Sequence, residues 1–380
     1  MSLVDRMFGR VRQESFVFEA TWRCNHDCLH CYNVWKNKTR HGQDARGTHG
    51  QDVHATHGRD AHATHGQDVH AAELPTGETL AMLGAMLDQT GARLVSLSGG
   101  EPLLRPDIFE IVDFLRGRGA AVNLITNGSL LDDAAIGRLA GGRISVFEVP
   151  LLSCQRAIHD RMSGGAEGAF DKATLAIASL KAAGQTVVAV FVATKLNIAT
   201  WRETAELAVA LGADGIMLNR FNPGGRGAEN IELLQAGPAE LRAVLDAANA
   251  VSEQYGVSIS CSIAMPPCLF DHAAWPRLSF GFCAAGTKRA YYTLDPWGNV
   301  RPCNHSALVL GNIGRGSFAS MARSRAMREF MRARPGFCAG CRMERTCQGG
   351  CKAAAEVCRG SPWEMDPFLA AYAAEARKVS

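Results

Sequence analysis

Alternation between short apolar strands and amphipathic helices is the feature that most constrains how this chain folds. Strand patterns at 93–98, 120–126 and 144–151 fall between helical patterns, and the alternation continues to residue 220. Parallel strands joined by right-handed helical crossovers are the usual solution for such a pattern. The sequence therefore predicts an α/β fold with a parallel sheet, either a barrel or an open part of one.

Six strands are predicted in all, and cysteines dominate the region that follows them. The other predicted strands are 16–21, 186–194 and 215–220, and the predicted helices are 77–90, 106–117, 169–183, 200–211 and 237–255. From Cys261 onward Gly and Pro punctuate short segments, which predicts a second, cysteine-held region. The predicted divisions are an N-terminal segment (1–15), a core (16–235), a bridging region (236–282), a cysteine-rich domain (283–360) and a helical tail (361–380).

A histidine-rich repeat interrupts the core after the first strand. Four octapeptides begin at His41, His49, His57 and His65, and they contain few large apolar side chains. Such a tract cannot offset the entropy of ordering, so residues 38–73 are predicted to be a disordered loop. A repeat without function is the favoured interpretation, and weak binding of zinc, nickel or iron is the alternative.

Composition and charge exclude several kinds of partner. The chain has 40 Lys+Arg and 37 Asp+Glu, which gives a net charge of +3. So small an excess of positive charge does not indicate binding to nucleic acid or to an anionic membrane. No apolar run approaches the roughly 18 residues that span a bilayer, and no secretory signal begins the chain. A cytoplasmic location is predicted, where thirteen cysteines indicate metal or redox chemistry rather than disulfides.

Three of these cysteines follow the first strand at a spacing typical of a metal-binding loop. Cys24, Cys28 and Cys31 have the form CxxxCxxC. Three thiolates suit a [4Fe-4S] cluster that leaves one iron open, whereas structural zinc needs four ligands and would recruit His26 or His30. The cluster is the favoured interpretation and zinc is the alternative.

A glycine pair lies where the strand at 93–98 ends, in the motif GGEP at 99–102. Ligands of parallel α/β sheets bind outside the carboxyl ends of the strands. Paired glycines let backbone approach a ligand closely, and the Glu101 carboxylate is an acceptor suited to an ammonium group. The motif therefore predicts a small-molecule site beside the cysteine loop.

The cysteine loop and GGEP together resemble the radical S-adenosylmethionine (SAM) enzymes over about residues 16–220. The resemblance implies a partial (β/α)6 TIM-like barrel and reductive cleavage of SAM to a 5'-deoxyadenosyl radical, with no protein nucleophile. The implied ligands of the [4Fe-4S] cluster are Cys24, Cys28 and Cys31, and the implied SAM-binding residues are Tyr32, Gly99, Gly100, Glu101 and Asn127. For Asn127, a role as an ordinary turn residue is an equally weighted alternative to SAM binding.

The fourth strand departs from the family pattern. Many relatives carry SLDG and then HDxxxG, whereas this chain has PLLS at 150–153 and then HDR at 159–161. Ser153 or Arg161 is the expected replacement for the missing polar contact to SAM. A helix cap is the alternative for the His-Asp pair.

The C-terminal cysteines resemble the SPASM extension of radical enzymes, which holds auxiliary iron-sulfur clusters, over about residues 283–358. In that arrangement Cys351 returns to the cluster of Cys283 and Cys303. The implied ligands of the other auxiliary cluster are Cys338, Cys341, Cys347 and Cys358. One or two zinc sites are the alternative for the whole series.

Three cysteines are left over by this count. Cys268 or Cys261 is a candidate fourth ligand of the first auxiliary cluster, which could also stay open for substrate. Free buried thiols are the expected state of Cys154 and Cys261.

The SPASM resemblance also implies a class of substrate. Enzymes with this extension mostly modify peptides or proteins, so a peptide or protein maturase is predicted, with an electron donor such as flavodoxin or ferredoxin. Asn304 stands where sulfatase-modifying members tend to carry an acid, which argues against that branch. With about fifteen residues before the first strand, leader recognition is expected to need a separate protein or the groove itself.

Two other functions remain open from the sequence. Related proteins act on tetrapyrroles in heme synthesis, which makes a small-molecule enzyme the second hypothesis. The third is a non-catalytic metal-binding protein that stores or senses metal through its cysteines and the histidine tract.

Overall fold

The computed structural model describes residues 11–36 and 73–376. Most of the predicted N-terminal segment, and all of the predicted disordered insert except Glu73, lie outside the described residues. The strands are β1 (Ser15–Thr21), β2 (Leu94–Gly99), β3 (Ala121–Ile125), β4 (Val146–Pro150), β5 (Val187–Ala193), β6 (Gly215–Arg220), β7 (Ser258–Cys261), β8 (Leu278–Phe280), β9 (Thr293–Leu294), β10 (Asn299–Arg301) and β11 (Gly311–Asn312).

One sheet contains all of these strands, in the order β11-β10-β9-β1-β2-β3-β4-β5-β6-β7-β8. Strands β1 to β6 pair in parallel with their neighbours along the chain, as the alternating pattern predicts. All six predicted strands are present. The predicted α/β fold class is confirmed.

Helices cover one face of the sheet and supply most of the core. In β5 the side chains of Val187, Ala189, Phe191 and Ala193 are buried, whereas those between them are partly exposed on the opposite face. The α-helices of the described residues are α1 (Thr76–Thr90), α2 (Ile108–Gly117), α3 (Asp133–Leu139), α4 (Arg156–Met162), α5 (Ala169–Ala182), α6 (Trp201–Ala210), α7 (Gly225–Glu229), α8 (Ile231–Leu234), α9 (Pro238–Tyr255), α10 (Phe318–Ala322), α11 (Arg325–Arg332), α12 (Glu344–Cys347), α13 (Lys352–Arg359) and α14 (Pro367–Ala371). Within this described part, no helix is both long and apolar enough to cross a bilayer.

The sheet extends further at both edges than the sequence predicts. Strands β7 and β8 continue the parallel order beyond β6, inside the segment interpreted as a bridging region. At the other edge β9 pairs in parallel with β1, and β10 and β11 add antiparallel strands. These strands have two to four residues, too few to show a period of two in the sequence. The predicted domain boundaries stay predictions.

A buried ion pair joins β6 to the C-terminal region. Arg220 donates to the Asp366 carboxylate, and both side chains are almost fully buried. The same carboxylate accepts the backbone N–H groups of Cys351, at 2.8 Å, and of Phe368, at 2.9 Å. One carboxylate therefore holds the end of a core strand, a predicted ligand cysteine and the start of α14.

Replacing Asp366 by asparagine should destabilise the protein strongly. An amide cannot neutralise the buried Arg220 guanidinium, and loss of one partner of a buried pair costs about 3–5 kcal/mol. Urea unfolding of cluster-free protein, followed by circular dichroism, measures the change. The surface pair of Arg202 and Glu206 on α6, at 3.0 Å, supplies the control. Glu206→Gln should lower the free energy of unfolding by less than about 0.5 kcal/mol.

Candidate functional site

The three N-terminal cysteines lie on one loop at the carboxyl end of β1. Cys24, Cys28 and Cys31 are all partly buried. Within the loop, Cys31 N–H donates to the Cys28 carbonyl at 3.2 Å, and Leu29 N–H donates to the Met162 carbonyl at the end of α4, at 3.0 Å. The loop is therefore attached to the core rather than free at its surface.

The GGEP motif at the end of β2 contacts the first turn of this loop through backbone alone. Gly100 N–H donates to the Thr21 carbonyl at 2.7 Å, and Glu101 N–H donates to the Arg23 carbonyl at 2.9 Å. A Cβ atom at Gly99 or Gly100 would collide with these same two carbonyl groups. The glycines are needed here because the two motifs approach as backbone against backbone.

Asn33 ties the other end of the cysteine loop to the same motif. Its side-chain amide donates to the Gly99 carbonyl at 2.6 Å. The loop is thus held against the end of β2 at both of its ends.

Glu101 is fully buried and connects β2 with the turn after β3. Its carboxylate accepts from Thr126 Oγ1 and Asn127 N, both at 2.8 Å, and from Leu103 N at 3.1 Å. Burial raises the pKa of Glu101 to about 7, although these three donors oppose the rise. One oxygen accepts two bonds and the other accepts one, which leaves an acceptor position on the second oxygen.

Asn127 contacts the cysteine loop through its side chain. Its Nδ2 donates to Asn25 Oδ1 at 2.8 Å, and its Oδ1 accepts from Ser129 N at 2.9 Å. Asn25 in turn donates to Ser129 Oγ at 2.8 Å. Asn127 is therefore a turn residue that also joins the end of β3 to the cysteine loop, and its implied contact with SAM stays a prediction.

Ser153 follows β4, at the start of α4. Its buried hydroxyl lies 2.9 Å from Thr200 Oγ1 and accepts from Gln155 N at 3.0 Å. The expected contact of Ser153 with SAM stays a prediction. Asp160 accepts from Phe170 N at 2.8 Å at the start of α5, which agrees with the helix-cap alternative.

A second glycine-rich loop holds the cysteine loop from the side of β6, and the sequence analysis missed it. Gly227 N–H donates to the Cys31 carbonyl at 2.9 Å. A Cβ at Gly225, whose φ is +46°, would collide with the Asn33 carbonyl, and one at Gly224 would lie 2.8 Å from the Tyr32 carbonyl. The signal was available, since PGGRG at 223–227 directly follows a parallel strand just as GGEP does.

Tyr32 joins the cysteine loop to the C-terminal region. Its hydroxyl accepts from Asn304 Nδ2 at 3.1 Å, and its ring lies 4.0 Å from the His305 ring. Burial lowers the pKa of His305 to about 3, and the charges of Arg301 and Arg220 add to this effect, so the imidazole is neutral near pH 7. Asn304 and His305 immediately follow Cys303, so the first and second cysteine regions meet at Tyr32.

Cys303 lies close to two other C-terminal cysteines, Cys283 and Cys351. Burial raises the pKa of the Cys303 thiol, and the neighbouring Cys351 and Cys283 add to the rise. These are the three residues predicted to share an auxiliary cluster. Asn222, in the turn after β6, lies 3.1 Å from His305 Nδ1 and donates to Cys351 Sγ at 3.4 Å. The same short network therefore connects Tyr32 with Cys351.

A second group of cysteines includes three from the C-terminal region. Cys338, Cys341 and Cys347 line a common pocket, and its fourth cysteine is Cys268 rather than Cys358. Among the described residues, no three His, Cys, Asp or Glu side chains are grouped as they would be around one bound metal ion. Cys261 is buried in the core on β7, and Cys154 is partly buried after β4.

The donor set of the N-terminal loop fits a cluster with one open metal. Three partly buried thiols share one short loop, and backbone acceptors of the GGEP motif lie directly beside it. The radical SAM superfamily profile matches residues 19–208, half of the chain. The chain belongs to the radical SAM superfamily. A profile described as the SPASM iron-sulfur cluster-binding domain matches residues 283–348. Both family resemblances seen in the sequence are confirmed.

Curated relatives of this radical SAM protein act on different substrates. Mycofactocin maturase MftC of Mycobacterium ulcerans is 30% identical over 68% of this chain and 70% of its own length. PqqA peptide cyclase of Gluconobacter oxydans is 27% identical over 78% of this chain and 82% of its own length. AdoMet-dependent heme synthase of Methanosarcina barkeri is 26% identical over 92% of this chain and 94% of its own length.

A solved structure shares the fold at low identity. Streptococcus suis SuiB bound to precursor peptide SuiA is 13% identical, with a TM-score of 0.67, and the match covers 94% of this chain and 76% of that one. In this radical SAM protein the SPASM match lies on the carboxyl-terminal side of the radical SAM match.

Proposed function

We propose that this protein is a radical SAM/SPASM maturase that oxidatively modifies a peptide or protein. The observation that carries the proposal is the backbone contact between the cysteine loop and GGEP, because it brings a three-thiol loop and an amine-binding motif to one strand edge. The names of the maturase and the peptide cyclase among its relatives support the substrate class.

In this proposal Cys24, Cys28 and Cys31 hold the [4Fe-4S] cluster. When bound, the cluster supplies the electron that cleaves SAM to the 5'-deoxyadenosyl radical, which removes a substrate hydrogen atom. Gly99 and Gly100 offer backbone to the methionyl group of SAM, and Glu101 offers its remaining acceptor position. Asn127, Tyr32 and Ser153 complete the proposed cofactor pocket.

The face of β4 and β5 opposite their buried side chains is the proposed substrate surface. Val188, Val190 and Val192 of β5 are partly exposed there, beside Glu148 of β4. An apolar strand surface can hold an extended peptide by packing, whereas the net charge of +3 offers little long-range attraction. Peptide side chains would thereby be held close to the ends of β1 and β2, where the radical forms.

The Glu101 carboxylate should control SAM affinity. Because its pKa is about 7, the group is mostly protonated at pH 6 and ionised at pH 8, and only the ionised form is a strong acceptor for an ammonium group. SAM should bind about tenfold more weakly at pH 6 than at pH 8. In Glu101→Gln affinity should be about 10–100-fold weaker at pH 8 and independent of pH.

Equilibrium dialysis of SAM with anaerobically reconstituted protein measures this effect. Glu110→Gln, on the exposed side of α2, is the matched control and should leave both the affinity and its pH dependence unchanged. A Glu101→Gln protein that binds SAM as tightly as the parent protein would contradict the role given to Glu101.

Co-expression with candidate peptides, followed by mass spectrometry, tests the function itself. A maturase should convert one peptide to a product lighter by two hydrogen atoms, and the purified protein should form 5'-deoxyadenosine after dithionite reduction. Flavodoxin or ferredoxin is the proposed natural electron donor, and one of them should replace dithionite. A separate leader-binding protein is a further proposed partner, and its addition should raise the rate with a leader-containing peptide.

Tetrapyrrole chemistry is the second candidate. It is favoured by the heme synthase relative, which matches over 94% of its own length. A tetrapyrrole should then bind and be consumed together with SAM, while peptides stay unmodified. Zinc without SAM cleavage would support the non-catalytic alternative, but membership of an enzyme superfamily argues against it.

A further inference from the structure

Four cysteines from two distant parts of the chain line one pocket. Cys338, Cys341 and Cys347 come from the C-terminal region, and Cys268 comes from the segment between β7 and β8.

The turn that carries Cys268 is held firmly in place. Leu269 and Phe270 N–H groups both donate to the Pro266 carbonyl, at 2.9 and 3.0 Å. Arg242 of α9 donates to the Leu269 carbonyl at 3.0 Å. The Phe270 ring is fully buried and stacks on Phe368 of α14 at 6.0 Å. Cys268 is therefore presented by a rigid turn that packs on the C-terminal region.

The remaining three thiols are positioned by short local turns. Cys338 N–H donates to the Pro335 carbonyl at 2.9 Å, and Cys341 N–H donates to the Cys338 carbonyl at 3.1 Å. Cys347 ends α12. Gly349 follows it closely, and a Cβ atom added to this glycine would lie 3.6 Å from Cys338 Sγ. The C-x2-C-x5-C segment thus folds around one side of the pocket, facing the Cys268 turn.

Cys358, the ligand implied for this group by the family pattern, lies elsewhere. Its thiol donates to the Pro223 carbonyl at 3.8 Å, in the turn after β6. Asn222 of the same turn contacts Cys351 Sγ at 3.4 Å. Cys358 and Cys351 lie on α13 and at its N-cap, so both approach the Asn222–Pro223 turn rather than the pocket.

We infer that Cys268 is the fourth thiolate ligand of the auxiliary cluster held by Cys338, Cys341 and Cys347, and that Cys358 is not. The inference rests on the proposed function only in that these thiols hold an iron-sulfur cluster. It makes the second auxiliary site a bridge between the extended sheet and the C-terminal region. Four thiolates then close this cluster to substrate.

Iron and sulfide analysis of alanine variants tests the inference. In a background with Cys24, Cys28 and Cys31 replaced by alanine, only the auxiliary clusters remain. There Cys268→Ala, Cys338→Ala and the double variant should each lose the same cluster, up to about four irons per chain, because both residues serve one group. Cys358→Ala alone should keep the cluster that Cys338→Ala loses.

Cys261→Ala is the matched control, since Cys261 is a buried thiol on β7 that does not line the pocket. It should keep the parent iron content and spectrum, and circular dichroism verifies folding of every variant. The inference would be overturned if Cys268→Ala kept the parent iron content and spectrum while Cys358→Ala lost the same irons as Cys338→Ala. Failure of the proposed function is a different result, in which the unmodified chain assembles no cluster or does not cleave SAM.

Discussion

Replacing Cys28 by alanine is expected to abolish SAM cleavage while leaving the auxiliary clusters in place. Cys28 is the middle member of the three-thiol loop, and two thiolates cannot hold a [4Fe-4S] cluster stably. Iron content should fall by up to about four per chain, and 5'-deoxyadenosine formation should fall by at least about 10³-fold. Anaerobic iron analysis and chromatography of the nucleoside products measure the two effects.

Cys154 offers a matched control for this experiment. It is also a partly buried thiol, but it follows β4, and its backbone N–H is bonded to Thr204 Oγ1 at 2.8 Å. Cys154→Ala should keep parent iron content and nucleoside formation. A peptide product lighter by two hydrogens that still forms in Cys28→Ala cells would refute the proposed chemistry.

Gly100→Ala should also impair the cluster site, although it changes no ligand. The added methyl group would overlap the Arg23 carbonyl, which is backbone and cannot rotate away as a side chain would. Either the cysteine loop or the end of β2 must move, and overpacking of this kind costs about 1–3 kcal/mol or more. We expect incomplete cluster assembly and at least about a tenfold loss of SAM affinity.

Gly137→Ala in α3 is the control for Gly100→Ala. A Cβ there meets no atom within 4 Å, and alanine favours the helix over glycine by about 0.5–1 kcal/mol. That variant should be as stable as the parent protein or slightly more stable, with full iron content. Normal cluster assembly in Gly100→Ala would show that the close backbone approach is not needed.

Contacts with the C-terminal region extend the site beyond these motifs. The Tyr32 hydroxyl contacts Asn304, and the His305 ring lies against the Tyr32 ring. Asn304 stands where sulfatase-modifying members tend to carry an acid, and here an amide donates to the cysteine loop instead. The residue that disfavours one branch of the family therefore has a structural role at the junction of the two cysteine regions.

The sequence by itself determined the parallel α/β core, the cysteine loop and the family. Each depends on local patterns: strand and helix periods, the spacing of Cys24, Cys28 and Cys31, and the glycine pair after β2. Such patterns can be recognised in the sequence because the residues that form them lie within a few positions of one another.

Only the tertiary structure decided how distant residues are grouped. Cys268 meets Cys338 across 70 positions, and the loop at 223–227 meets the cysteine loop across nearly 200. The Ser153 hydroxyl meets Thr200 Oγ1 across 47 positions. Spacing along the chain carries no information about such contacts, since the crossovers of the sheet and the burial of apolar faces determine which chain segments become neighbours.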